Sequence, residues 1–333
     1  MKKILFIVNK VHFENPKKRM HYEWVKDCSK DYYIDFWGLG YYDCSLQSLK
    51  NKIDSIKPDY IYLTGRGRLQ KWLPDISDIK NIPKIFVEID SYKYDRNDSW
   101  YDQFNNIYSR QPIWEFKQNK MVDEHYFYHA HKIHVFNLNL KYGSNIKFSK
   151  KKAKKDASIT YQKMLKRIKQ SKTWNKTPLF RRSVSELSIN LNNTSQERSG
   201  IYMIGSNVAL VSQERYFMTE RFKHKINILT EWDVAKYNNI LRSASALVCP
   251  TGSVYGDYTP AKLFEFSASG AAVITNCDLE LCNMNDLQNA VIHYTDLDSL
   301  DSKLSMDFSR YYGLASKVML NHTHRIRYKE LFG

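Results

Sequence analysis

The sequence predicts an α/β protein with two open, mostly parallel sheets. Its 333 residues are 43% hydrophobic, which is enough for two ordinary cores. Short β-branched or aromatic runs recur along the chain, separated by polar stretches long enough to form helices, a pattern typical of βαβ units. The runs fall into two series of five, with a stretch between them that has no strand pattern. Two domains are therefore expected.

Each series predicts the strands of one sheet. The first series covers residues 4–8, 33–37, 60–63, 84–88 and 133–136. The second covers residues 201–204, 225–229, 246–249, 272–275 and 291–294. The series predict a first domain over residues 1–175 and a second domain over residues 196–310. The remaining residues, 311–333, belong to a last helix that starts near residue 308 and packs back on the first domain.

The stretch from about residue 147 to residue 198 predicts a linker with an inserted helix. It contains lysine runs at 150–152 and 154–155, and the helix is expected over 159–169. A solvated helix face explains these lysines, and so does an arm that binds an anion. Both interpretations stay open.

Charge and cysteine usage limit the partners and the compartment. The formal net charge of +16 fits a polyanion such as nucleic acid or an anionic surface that the protein contacts peripherally. The alternative is that the charge comes from a general enrichment of the sequence in Lys, Asn, Ile and Tyr, in which case it indicates no polyanionic partner. The five cysteines form no CxxC pair and their number is odd, which predicts reduced thiols in a cytoplasmic protein. No apolar run is long enough for a signal peptide or a membrane span.

The most informative segment is GDYTPAKLFEFSASGAAVITN, residues 256–276. It predicts a short helix that starts at Pro260 and ends before Gly270, followed by a buried strand. Lys262 and Glu265 stand three residues apart and share one face of this helix. An ammonium group suits a diphosphate, and a carboxylate can bind the two hydroxyls of a ribose. A surface ion pair is the alternative explanation of the same spacing.

A second segment, GIYMIGSN at 200–207, ends a predicted strand in Gly205 and Ser206. A helix that begins soon afterwards would present backbone N–H groups to a phosphate. Arg215 and Arg221 follow and supply further positive charge for a diphosphate. The alternative is that Gly205 is the turn glycine of an ordinary βα unit.

The third segment lies in the first domain, where Asp90 follows the predicted strand at 84–88. A carboxylate at the carboxyl end of a central strand is a candidate general base. Capping of the next turn is the alternative role for such a residue. Four further residues at this edge are candidates for contact with the acceptor or an anion, namely Arg66, Arg68, Tyr92 and Tyr94.

These segments resemble the nucleotide-sugar motif of GT-B glycosyltransferases, the group 1 and CgeB-like enzymes. In that motif a basic and an acidic residue precede small residues ending in Gly, as Lys262, Glu265 and residues 267–270 do here. Asp257, eight residues before Glu265, is similar to the first acid of the retaining enzymes of this class. The order of Asp90, Gly205, Ser206, Arg215 and the Lys262–Glu265 pair is also similar to that of the phage DNA β-glucosyltransferases.

The resemblance implies two Rossmann-like domains facing across a cleft, the GT-B arrangement, with residues 1–175 as the acceptor domain and residues 196–310 as the nucleotide-sugar domain. It implies a hexosyltransferase that uses a nucleotide-sugar, first of all a UDP-sugar, with a saccharide or cell-surface glycan as acceptor. It also implies no resident cofactor or metal, and His125, His129, His131 and His134 lack the other ligands of a metal site. Asp90 as the base implies inversion of the sugar, whereas Asp257 as a donor-side acid implies retention.

Two alternatives keep the scaffold and change the function. One is a DNA glycosyltransferase that modifies hydroxymethylated bases, which would use the positive charge to bind the duplex. The other is a nucleic-acid-binding protein without catalytic activity. The second predicts basic residues without a donor site, so the presence of Lys262, Glu265 and Gly205 argues against it.

Overall fold

The computed structural model describes the chain except for residues 16–18, 111–146, 148, 192–197, 206–217, 219–220, 230–232 and 252–259. The chain divides into two compact units, and each is described by itself. The first unit comprises Met1–Ile113, Gln170–Ile189 and Met319–Gly333. The second comprises Trp114–Lys169 and Asn190–Val318.

The first unit is built on a parallel sheet in the order β2-β1-β3-β4-β5. Its strands are β1 (Lys3–Ile7), β2 (Tyr33–Trp37), β3 (Tyr60–Thr64), β4 (Lys84–Glu88) and β5 (Asn106–Ser109). Every residue of β4 is buried, as expected for an inner strand of a parallel sheet with both faces covered.

Two apolar clusters form the core of the first unit, one on each face of its sheet. Successive side chains of a strand point to opposite faces, so Leu5 and Ile7 enter one cluster and Ile4 and Phe6 enter the other. The helices of this unit are α1 (Lys10–Phe13), α2 (Arg19–Cys28), α3 (Leu46–Ile56) and α4 (Arg66–Leu69).

The second unit repeats the plan with the order β10-β9-β8-β6-β7, again all parallel. Its strands are β6 (Ile201–Ile204), β7 (Asn227–Leu229), β8 (Ala246–Cys249), β9 (Ala272–Thr275) and β10 (Ile292–His293). The later helices of the chain are α5 (Lys150–Lys172), α6 (Val234–Ser243), α7 (Ala261–Ala268), α8 (Leu279–Met284), α9 (Leu297–Lys303), α10 (Leu314–Met319) and α11 (His324–Phe332).

The predicted fold class is confirmed, because the chain forms two parallel five-stranded sheets with flanking helices. The strand β5 is not predicted from the sequence. Only Ile107 and Ser109 of its four residues are buried, so it has no apolar run to mark it. The strand expected at 133–136 lies outside the described residues.

Two helix predictions need correction. The basic helix α5 is longer than expected, because Ser149 accepts a hydrogen bond from the backbone N of Lys152 at 3.3 Å and lysine is a good helix former. The expected single helix at the C-terminus is broken. Gly313 has φ of 73° just before α10, and Thr323 is extended and caps α11 as a new helix.

The helix α11 completes the core of the first unit. Tyr328, Leu331 and Phe332 belong to the same cluster as Phe6 of β1. The ring of Tyr328 lies 4.3 Å from that of Trp24 in α2, centroid to centroid. The C-terminal segment is thus an integral part of the first unit.

Candidate functional site

The strand order of the second sheet places its topological switch point between β6 and β8. From β6 the chain moves to β7 on one side and then returns to β8 on the other side of β6. Ligands of open parallel sheets bind beyond the carboxyl ends of the strands at such a point. The residues that follow β6 and β8 are therefore where a ligand of this unit is expected.

The predicted donor residue Lys262 reaches this point from α7. Its Nζ donates a 2.8 Å hydrogen bond to the backbone carbonyl of Ile204, the last residue of β6. The next residue is Gly205, whose φ of 151° is a conformation that favours glycine. The structure thus brings Lys262 and Gly205 together at the switch point of the second sheet.

Glu265 is also held in place, by a residue that the sequence does not single out. Its Oε2 accepts a hydrogen bond from the phenol of Tyr237, a fully buried residue of α6. Tyr237 shares helical spacing with Ile240 and Leu241, so in the sequence it looks like an ordinary core residue. A carboxylate has several acceptor positions, and one phenol occupies only one of them.

The neighbouring strand ends are tied to each other. The side-chain Oδ1 of Asn276, after β9, accepts hydrogen bonds from the backbone N and the Oγ1 of Thr251 at 2.8 and 3.2 Å. Thr275 Oγ1 donates to the carbonyl of Cys249 at 2.7 Å. These bonds make the carboxyl ends of β8 and β9 one rigid edge. In the sequence, polar residues directly after buried strands are the signal for these hydrogen bonds.

Three of the predicted donor residues lie outside the described residues, namely Ser206, Arg215 and Asp257. Arg221 is described, and its guanidinium pairs with Asp298 Oδ1 at 2.6 Å on the surface. Of the predicted donor residues, Gly205, Lys262 and Glu265 are thus the ones that the structure describes near the switch point.

In the first unit, Asp90 stands two residues beyond the end of β4. Its carboxylate is 38% exposed and pairs with Lys93 Nζ at 2.6 Å. Its carboxylate makes no capping hydrogen bond to the backbone of the short 3-10 helix that follows, Ser91–Lys93. The structure therefore shows Asp90 without the capping bond that the alternative interpretation requires.

Glu88 supports the backbone of Asp90 from inside the protein. The residue is fully buried, and its Oε1 accepts the backbone N–H groups of Ile89 and Asp90 at 2.9 and 3.0 Å. Its Oε2 accepts a 2.9 Å hydrogen bond from the phenol of Tyr101. Burial raises the pKa of Glu88 to about 7. The sequence does not identify this carboxylate as a site residue.

Arg66 lies inside the packing of the same loop, where it is only 4% exposed. Its guanidinium pairs with Asp98 Oδ2 at 2.7 Å, and its Nε donates to Gln70 Oε1 at 3.1 Å. It also lies 5.0 Å from the ring centroids of Tyr94, Trp100 and Tyr101. These contacts show a structural cation that joins the turn after β3 to the loop after β4.

The other candidates for acceptor or anion contact differ in exposure. Arg68 is exposed on α4, and Tyr94 is half-buried with its phenol packed over Gly67. The side chain of Tyr92 lies outside the described part of the structure. Of the four candidates, Arg68 is the described cation with access to solvent.

The basic segment before the second sheet is helical and faces solvent. Lys150, Lys151, Lys152, Lys154 and Lys155 are all exposed in the first turns of α5.

The described residues contain no group of three or more His, Cys, Asp or Glu that is able to hold a metal ion. His125, His129, His131 and His134 lie outside them. None of the described helices combines the length and the apolar character that crossing a membrane requires.

No protein-family model matches this chain, and no curated protein matches it. Solved structures do resemble it. One is AviGT4, a glycosyltransferase involved in avilamycin A biosynthesis, which is 8% identical over 99% of this chain and 96% of its own, with a TM-score of 0.49. Another is sucrose-phosphate synthase from Thermosynechococcus elongatus, 9% identical over 100% and 95% of the two chains, with a TM-score of 0.48.

A third is a putative UDP-N-acetylglucosamine 2-epimerase from Listeria monocytogenes. It is 9% identical over 99% of this chain and 95% of its own, with a TM-score of 0.43. GT-B glycosyltransferases are among the structural neighbours.

Proposed function

We propose that this chain is a glycosyltransferase that moves a sugar from a nucleoside-diphosphate sugar to an acceptor hydroxyl. The observation that carries the proposal is the hydrogen bond from Lys262 Nζ to the carbonyl of Ile204. It holds an ammonium group at the switch point of a parallel sheet, where a pyrophosphate needs positive charge. Glu265, on the same helix and bonded to Tyr237, supplies a carboxylate for the ribose hydroxyls.

The proposed reaction is a direct displacement. The acceptor oxygen forms a bond to the anomeric carbon while the bond from that carbon to the diphosphate oxygen breaks. The hydroxyl proton passes to a general base, for which we propose Asp90. The nucleoside diphosphate leaves with the electron pair, and Lys262 balances the added negative charge. Such a displacement inverts the anomeric configuration.

The finer assignments follow the resemblance of the motifs. Uridine diphosphate hexoses are the first donors to test, and a saccharide or cell-surface glycan is the proposed acceptor. All five cysteines are free, which supports a cytoplasmic location for the enzyme. Ser206, Arg215 and Asp257 stay in the proposal as further donor-binding residues.

Donor binding is tested by thermal unfolding with a panel of UDP-, GDP- and CMP-sugars. We expect one UDP-sugar to raise the melting temperature, because a ligand at about 100 times its Kd stabilises a protein by about 2.7 kcal/mol. Lys262→Ala and Glu265→Gln should abolish that rise. Lys236→Ala and Glu280→Gln remove the same charges from exposed positions of α6 and α8 and should leave it intact. An unchanged donor response in the folded Lys262→Ala protein would contradict the proposal.

Catalysis is tested by the release of nucleoside diphosphate together with a glycosylated acceptor. Asp90→Asn should lower turnover by about 100-fold or more and leave donor binding unchanged, because only the base is lost. Asp102→Asn, an exposed carboxylate of the same loop, is the matched control. Full turnover in Asp90→Asn would exclude Asp90 as the base. Conversion of the donor into another nucleotide-sugar, without release of nucleoside diphosphate, would indicate an epimerase instead.

A further inference from the structure

A groove with a volume of about 670 Å³ lies beside α3 in the first unit, and we name it the α3 groove. The described residues that line it come from one face of α3, between Gln47 and Ser55, and from the turn that joins β2 to α3, where they are Tyr42, Asp43 and Ser45. All of the described lining residues are polar, and Tyr42 is also aromatic. The volume is typical of a site for a small molecule.

The helix presents a polar face to the groove because its apolar residues point elsewhere. Leu49 and Ile56 are buried in the core of the first unit. Gln47, Asn51 and Ser55 are spaced four residues apart, so they form a row on another face of α3. At the rise of an α-helix this row is about 12 Å long.

Hydrogen bonds hold the longer side chains of the groove in place. Lys52 Nζ donates to Asp35 Oδ2 of β2 at 2.9 Å and to the hydroxyl of Tyr42 at 3.0 Å. Gln47 Nε2 donates to Asn51 Oδ1 at 2.8 Å. Binding normally costs the freedom of surface side chains, so side chains that are fixed beforehand favour a ligand.

These side chains keep surface and hydrogen-bonding capacity for a ligand. A carboxamide has two N–H donors and a carbonyl acceptor, and the bond between Gln47 and Asn51 uses one donor of the first and one acceptor position of the second. Tyr42 is 45% exposed. Lys52 Nζ lies 5.1 Å from its ring centroid and 3.0 Å from its hydroxyl, so Lys52 contacts the ring at the hydroxyl end.

The charges of the α3 groove are balanced. Lys52 is the cation among its described lining residues, and it pairs with Asp35. Asp43 is the carboxylate of the described lining, and its Oδ1 accepts a 3.0 Å hydrogen bond from Ser45 Oγ. Neither an anionic nor a cationic ligand would meet an excess of the opposite charge. The groove therefore fits an uncharged polar ligand.

We propose that the α3 groove binds an uncharged saccharide of more than one ring. Sugar hydroxyls both donate and accept hydrogen bonds, so they match the carboxamides and hydroxyls along α3. The C–H face of a sugar ring packs on an exposed aromatic ring such as that of Tyr42. A peptide ligand is usually anchored by apolar side chains in apolar pockets, which the described lining does not offer.

The position of the groove relates it to the proposed reaction. Tyr42 follows β2 and Asp90 follows β4, so both stand at the carboxyl edge of the first sheet. The two strands are three strand spacings apart, about 14 Å. If the proposed glycosyl transfer is right, and this step alone rests on it, the saccharide is the far end of an acceptor whose reacting hydroxyl lies at Asp90.

Binding is tested by calorimetric titration of the full chain with neutral tetrasaccharides of glucose, galactose, mannose and N-acetylglucosamine, and with the corresponding monosaccharides. We expect one tetrasaccharide to bind about tenfold or more tightly than its monosaccharide, because a second ring adds contacts along the row on α3. Tetragalacturonate should bind no more tightly than the neutral galactose tetramer. Absence of binding across the panel, or tighter binding of the charged tetramer, would overturn the proposal.

Variants locate the site. Tyr42→Ala and Asn51→Ala should each weaken the binding of that tetrasaccharide about tenfold, since each removes a contact at an exposed position. Tyr33→Ala and Asn81→Ala remove the same side chains from exposed positions outside the groove and should leave the Kd unchanged. Tyr42→Phe keeps the ring without the bond from Lys52 and should keep most of the affinity. Unchanged affinity in the two groove variants, or a loss in Tyr42→Phe as large as in Tyr42→Ala, would contradict the proposed site.

Kinetics test whether the bound saccharide is the acceptor. With that tetrasaccharide as acceptor, Tyr42→Ala should raise the KM about tenfold and leave the kcat unchanged, because binding away from the reacting hydroxyl is lost. The KM for the monosaccharide and the thermal response to the UDP-sugar should stay as they are. An unchanged KM for the tetrasaccharide would exclude the acceptor assignment. Binding of the tetrasaccharide without any transfer or donor response would count against the proposed function and leave the groove as a saccharide site.

Discussion

At the scale of single residues, the first unit keeps several charged groups inside and gives most of them partners within the same loop. The Tyr101 phenol bonds to Glu88, and the ring of the same residue lies 5.0 Å from the guanidinium of Arg66. Arg66 in turn pairs with Asp98. These contacts fix the loop that carries Asp90, so the proposed base has a rigid support.

The buried carboxyl of Glu88 predicts a pH-dependent stability. Its folded pKa of about 7 lies above the ordinary value of 4.5, so folding favours the protonated form. Its contribution is complete below pH 4.5 and is lost as the pH rises to 7. Relative to Glu88→Gln, the native protein should lose up to about 3 kcal/mol of unfolding free energy across that interval.

Urea unfolding of both proteins at half-unit steps from pH 4.5 to pH 8 measures this difference. Glutamine cannot ionise, so the difference between the two proteins isolates the Glu88 proton from the other titrating groups. It should fall with pH and become level above 7. A difference that does not change with pH would show that Glu88 titrates as an ordinary carboxyl.

At the scale of elements, the two ends of the chain meet in one core. Lys2 Nζ donates to the carbonyls of Phe332 and Gly333 at 2.7 and 2.9 Å. Phe332 is fully buried, although it is the penultimate residue of the chain. Its ring lies 5.5 Å from that of Tyr32 and 5.6 Å from that of Tyr60. This packing marks α11 as a structural element of the first unit.

We expect Phe332→Ala to lower the unfolding free energy by about 3 kcal/mol or more, as truncation of a buried Phe in a packed core does. Leu320→Ala is the control, because Leu320 is 48% exposed and its truncation should change stability little. Urea unfolding of the two variants makes the comparison. A small effect of Phe332→Ala, similar to that of the control, would mean that α11 detaches readily from the first unit.

At the scale of the whole molecule, local patterns in the sequence predict most of the sheets. The strands at 33–37, 84–88 and 246–249 have the predicted bounds, since each is a short run of β-branched, aromatic or other apolar residues between polar ones. The same rule misses β5, where half of the residues are exposed or partly exposed. It also misses the two breaks in the expected C-terminal helix, one at Gly313 before α10 and one at the Thr323 cap before α11.

The sequence predicts those parts of the candidate site whose residues lie close together along the chain. Lys262 and Glu265 belong to one helix, so their spacing shows in the sequence. Their partners Ile204 and Tyr237 come from other elements, and only the folded chain brings them together. The same holds for the pairing of Arg66 with Asp98. Residue types alone do not predict such contacts between distant parts of the chain.

The proposed placement of the donor in the second unit predicts where binding changes hydrogen exchange. With a bound nucleotide-sugar, backbone amides of residues 201–205 and 261–265 should exchange more slowly, because the proposal places the ligand against Gly205, Lys262 and Glu265. The amides of β4 in the first unit are the internal control and should not change. Mass spectrometry of peptic fragments measures both. Protection confined to the first unit would move the donor site away from Lys262.

The chain runs from the first unit to the second and back again, and this path sets the order in which the two units are completed during synthesis. The first unit takes its opening strands from the start of the chain and α11 from its last residues, whereas the second unit ends at Val318. A ribosome therefore releases β1 to β5 long before the helix that covers one face of their sheet exists. The nascent chain completes its second unit first, and the uncovered aromatic face of the first unit remains a target for chaperones until residues 324–332 have been synthesised.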